Sequence, residues 1–145
     1  MQKAYKFSVV YFLLFSLILL ASSILLFSEN IGLSIESILN YYRGNEEKFM
    51  LAKTTAGLLK VILPHFLGFG LFLMVILHFV VFTKTKHLPF IIYLVFTVAL
   101  LELLSPFFII YGFEFFAYVK LVSFIALELL LLYLFWVLLR SIFFE

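Results

Sequence analysis

Four long apolar stretches, separated by short polar breaks, dominate the order of residues along this chain. Residues 7–27 run without a charge, and residues 61–82 are broken only by His65 and His78. Residues 88–111 carry Glu102, and residues 117–139 carry Lys120 and Glu128. Crossing roughly 30 Å of hydrocarbon takes about 20 apolar residues, and each stretch is that long. No water is available there to bond the main chain, so each span must pair its own peptide groups and be helical. The pattern predicts an all-α integral membrane four-helix bundle, with residues 1–145 forming a single transmembrane domain. The first stretch follows Lys3 and Lys6 and contains the small residues Ala21, Ser22 and Ser23, as a signal peptide does. Its apolar part exceeds the roughly 7–15 residues of a signal core, so a retained helix is expected.

Between the first two spans the periodicity changes. Ile31, Ile35, Ile38, Leu39 and Tyr42 recur at helical spacing, with Ser34, Glu36 and Ser37 on the other face. This predicts a short amphipathic helix over residues 31–42, lying on the outer membrane surface. Tyr41 and Tyr42 suit an interfacial belt, and Gly44 suits a helix end. Residues 46–60 return to a helical composition and are expected to lead into the second span. Orientation follows from lysine and arginine in short loops. Lys3, Lys6, Lys84, Lys86 and Arg140 fall on one side of an even-numbered bundle, joined by His87. That side reads as cytoplasmic, with both termini inside, as in a bacterial inner-membrane protein.

Composition narrows the chemistry. The chain has 145 residues, 66% hydrophobic and only 12% charged, against roughly 25% charged in soluble domains. A soluble fold of this size has too little interior to hide that surface. A net charge of +2 gives no footprint for nucleic acid. The absence of cysteine excludes disulfides, thiolate metal sites, iron–sulfur clusters and cysteine nucleophiles. No aspartate is present, so the eight acidic residues are all glutamate. No phosphate-binding glycine loop, HExxH, GxSxG or CxxCH motif occurs.

Ionisable residues inside spans are costly and are functional candidates by default. His65 and His78 stand 13 residues apart on the second span, about 20 Å along a helix axis and about 220° around it. Neutral imidazole is an axial ligand for haem iron. Gly68 and Gly70, within two turns of His65, remove side chains that would keep a flat macrocycle from the backbone. With these residues the segment resembles the histidine-bearing helices of b-type, non-covalent haem, four-helix membrane cytochromes. The resemblance covers about 20 of the 145 residues. It implies haem b as cofactor, with His65 and His78 as iron ligands and Gly68 and Gly70 lining the porphyrin. It also implies membrane electron transfer. The chain has no second histidine helix, so paired histidine ligation implies a homodimer or larger membrane complex.

The glutamates suggest another site. Glu102, Glu128 and His65 are expected at similar depth in the outer half of the membrane. Pro106 lacks an N–H and so frees the carbonyl of Glu102, and Pro64 frees that of Lys60. Such a pocket fits a divalent cation, proton passage or a quinone. The plainer alternative pairs the glutamates, with Lys120 or Lys60, as helix–helix glue, and likewise lets the histidines pin neighbouring helices. Tyr118 and Lys120 read as outer anchors, the lysine snorkelling, and Trp136 as an inner anchor. Three functions therefore remain open: a haem protein of electron transfer, a non-enzymatic membrane interaction or assembly subunit, and a metal-ion or proton transport component. No catalytic residue is identified.

Overall fold

The computed structural model describes residues 3–83 and 85–144, with Phe144 described by its backbone alone. Lys84, counted above among the inner charges, lies outside the described residues. All regular structure among the described residues is helical: α1 (Lys3–Asn30), α2 (Ile35–Arg43), α3 (Thr55–Val81), α4 (Leu88–Ile110) and α5 (Phe115–Phe144). Helices α1, α3, α4 and α5 are each long and apolar enough to span a membrane, as the four stretches predict.

Helix α2 begins with a reciprocal cap. Ser34 Oγ accepts from the Ser37 amide at 3.1 Å, and Ser37 Oγ accepts from the Ser34 amide at 3.2 Å. It ends at Gly44, where φ is 81° and an added Cβ would lie 2.6 Å from the Ala52 nitrogen. Both conformation and space require glycine there.

The expected helical lead over residues 46–60 is not formed as a whole. Asn45 and Met50 exchange two main-chain hydrogen bonds of 2.9 Å, closing a tight turn. Phe49 in that turn has a left-handed φ of 54°. Helix α3 starts only after Thr54, whose Oγ1 accepts from the Gly57 amide at 3.1 Å. A paired turn and a cap thus override helical propensity across this loop.

Helix α5 is the axis of the bundle. Half of its apolar window is buried, against 17–22% in the other spans. Two cores lie along it. One, towards the start of α1, gathers Val9 and Leu13, Leu73 and Ile76, Val95, Leu134 and Leu138. The other, towards the α4–α5 turn, gathers Phe27, Ile38, Tyr42, Leu58, Ile109, Ala117 and Phe124. Ile38 of α2 is fully buried. Helix α2 therefore turns its apolar face onto protein and not onto a membrane surface, closing one end of the bundle against α4 and α5. Arg43 fastens it by an ion pair of 2.8 Å to Glu114 in the α4–α5 turn. At the other end Lys6 Nζ donates to the Ile142 carbonyl at 2.8 Å, and Tyr5 meets Phe79 edge to face. The start of α1 and the ends of α3 and α5 thus share one side.

Candidate functional site

The polar residues of the spans divide into an inward set on α4 and α5 and an outward set on α3. The inward set is built around a proline. Pro106 lies inside α4 and lacks the N–H that the carbonyl of Glu102 needs. Ser105 Oγ donates to that carbonyl at 3.0 Å, and Lys120 Nζ donates to it at 3.1 Å. The same ammonium pairs with the Glu102 carboxylate. One lysine on α5 therefore fills both the carbonyl freed by Pro106 and the carboxylate on the same residue.

The pair is enclosed, with the Lys120 and Glu102 side chains 7% and 16% exposed. Ser123 Oγ donates to the Lys120 carbonyl at 3.2 Å, one turn further along α5. Tyr42 of α2 is also buried, at 5% exposure. Burial pushes its phenol well above the usual range, and the negative charge of Glu102 and the neighbouring Tyr41 push the same way.

Glu128 occupies a separate place. It lies deeper along α5, and its Oε1 accepts from Ser23 Oγ of α1 at 2.8 Å. The register comes from the aromatic pair one turn outward, where Phe27 stacks on Phe124 with ring centres 3.9 Å apart. Oε2 of Glu128 is buried without a hydrogen-bond partner among the described residues.

On α3 both histidines face away from the bundle. His65 is exposed, and its Nδ1 bonds the Val61 carbonyl at 2.8 Å. A carbonyl only accepts, so Nδ1 carries the hydrogen, and in the neutral ring Nε2 offers a lone pair outward. His78 is also exposed, with Phe82 edge-on at 5.1 Å. A Cβ added at Gly68 or Gly70 would meet nothing within 4 Å. The two glycines thus leave open notches and make no close helix packing within the chain.

The structure therefore does not gather His65 with Glu102 and Glu128. Among the described residues, no three His, Cys, Asp or Glu side chains stand close enough to hold one metal ion. His65 faces outward, Glu102 is taken by Lys120, and Glu128 is taken by Ser23. Lys120 also corrects an expectation. It is not a snorkelling anchor but a buried partner, 6% exposed. Tyr118 and Trp136 do face outward, at 56% exposure each. Sequence reasoning missed Ser23 and the buried place of Tyr42, whereas the pairing of Lys120 with Glu102 is one of the alternatives it offered.

No curated protein and no solved structure matches the chain. A family model described as a transmembrane helical domain, Aq_1264_TM, matches residues 32–145. That stretch takes in α2, the three later spans and every polar group described above except Ser23. The chain belongs to the Aq_1264_TM family of transmembrane helical domains.

Proposed function

We propose that the protein is a non-enzymatic subunit of a membrane complex, stiffened by its internal ion pair and joined to its partner through α3. The supporting observation is His65. Glu102, Lys120 and one oxygen of Glu128 are engaged inside the bundle, whereas His65 turns a ring nitrogen outward. It lies five residues past Lys60, about 8 Å along the axis of α3, within the apolar stretch, where lipid offers few hydrogen bonds. An outward lone pair at that depth calls for an O–H or N–H donor on another transmembrane helix. Gly68, one turn on, leaves room for that helix to approach. A second copy meeting symmetrically at His65 brings two acceptors face to face, which favours a partner that presents a donor from a different residue. The basic residues on the inner side support a bacterial inner-membrane setting with both termini cytoplasmic.

The test is the size and composition of particles cut directly from the membrane with a styrene–maleic acid polymer. A second protein in fixed ratio, lost in His65→Ala but kept in Glu114→Ala, is the expected result. Particles holding this chain alone at native expression overturn the reading.

A second reading has its own support. An imidazole whose Nδ1–H is held by a carbonyl is oriented to present Nε2 to a metal, and His65 has that arrangement beside the open Gly68. In this reading haem b sits on the outward side of α3, with His65 and His78 as ligands at seams with other chains, and the protein carries electrons. A Soret band that shifts on reduction, and is lost in His65→Ala, supports it. A featureless spectrum from haem-replete cells rejects it.

A further inference from the structure

We infer that the turn between α2 and α3 is a shallow membrane anchor, with Phe49 and Leu51 seated among the lipid headgroups of the outer side. Phe49 is the least explained residue of the fold. Its left-handed φ of 54° suits glycine or asparagine, and a bulky side chain is strained there. Its side chain finds no packing inside the chain, because Phe49 is 95% exposed. Leu51, two residues on, is 88% exposed.

The turn is held at the level where the spans end. The Lys53 amide donates to the Tyr42 carbonyl at 2.9 Å, and Gly44 packs against Met50 and Ala52. Tyr42 itself lies in one buried cluster with Leu58, Ile109 and Ala117, near the outer ends of α3, α4 and α5. The surroundings at that level are headgroups and the first methylenes of the lipid chains. The flanking chemistry matches. Lys53 Nζ lies 4.6 Å over the Tyr41 ring, and Lys48 is exposed beside Glu36. Aromatic rings with lysines at their edge are the residues that settle at a membrane interface. Apolar side chains anchored this way sit about 5–10 Å into the boundary. The occupant of the exposed Phe49–Leu51 knuckle is thus the lipid surface that the protein already borders.

The experiment uses the full chain with Trp136→Phe as background and Phe49→Trp as the reporter. It is reconstituted in phosphatidylcholine–phosphatidylglycerol vesicles with iodide on both sides. The expected result is blue-shifted emission, little loss to iodide, and strong loss when the lipids carry bromine near the headgroup end of the chain. Bromine near the chain terminus should quench much less. Water-like emission that iodide quenches, with no effect of brominated lipid, overturns the inference and leaves the knuckle free for an aqueous protein partner. Leu51→Trp gives the same reading from the neighbouring position should Phe49→Trp fail to fold.

Discussion

Replacing Lys120 by methionine removes the one cation that serves both the carboxylate and the carbonyl of Glu102. The volume is nearly kept, so packing changes little. Breaking a buried pair by deleting one partner costs about 3–5 kcal/mol, because the remaining charge stays buried. With side-chain exposures of 7% and 16%, solvent does little to screen this pair. The lost bond to the carbonyl adds about 0.6 kcal/mol, the average for side-chain hydrogen bonds within membranes. Ser105 remains on that carbonyl and limits the damage. A loss of about 3–5 kcal/mol is expected, at least roughly a hundredfold in the unfolding equilibrium.

The assay is unfolding in mixed micelles of dodecyl maltoside and dodecyl sulfate, followed by circular dichroism. Glu102→Gln alone should cost a similar amount, since it strands the ammonium. The double variant Lys120→Met/Glu102→Gln should return to within about 1 kcal/mol of the parent, because removing both charges of a buried pair is often near neutral. Losses that simply add in the double variant would refute the pairing.

Three further outcomes follow from the same contacts. Ser23→Ala strips Glu128 of its only hydrogen-bond donor among the described residues and should cost about 1 kcal/mol. That cost should vanish in a Glu128→Leu background in the same micelle assay. Tyr42 holds its proton more tightly folded than unfolded, so the unfolded state releases it first as pH rises. Its contribution is whole below about pH 10, the ordinary phenol value, and declines above it. The difference between parent and Tyr42→Phe in unfolding free energy should therefore shrink above that pH. Arg43→Ala should cost less than about 1 kcal/mol, because its pair with Glu114 is largely exposed at 32% and 68%. A larger loss on thermal melting would mean that α2 is held by that pair and not by Ile38.

The spans were legible in the sequence because lipid imposes one requirement on every apolar stretch. The α2 helix and its glycine end were legible from periodicity. The loop after it was not, since the Asn45–Met50 pairing depends on geometry that composition does not carry. Part of the site was also legible. Pro106 announced a freed carbonyl at Glu102, and that carbonyl proved to be where Lys120 and Ser105 converge. The available signal for Lys120 was the hairpin register. Glu102 and Lys120 each stand nine residues from Tyr111, at the turn between α4 and α5, so antiparallel helices bring them level. The same count places Glu128 eight residues past Lys120, about 12 Å deeper, which is why no shared pocket forms. The outward direction of His65 was not legible, because α3 is apolar all round and its pattern does not mark which face packs.

The most direct test of association through α3 is a photo-reactive benzoylphenylalanine placed at Leu71, on the outward side of α3, in intact cells. The same group at Phe15 on the exposed side of α1 is the control. A single protein adduct of defined mass from Leu71, absent from Phe15 and abolished by His65→Ala, is the expected result. Lipid adducts alone from both positions would contradict a partner on α3.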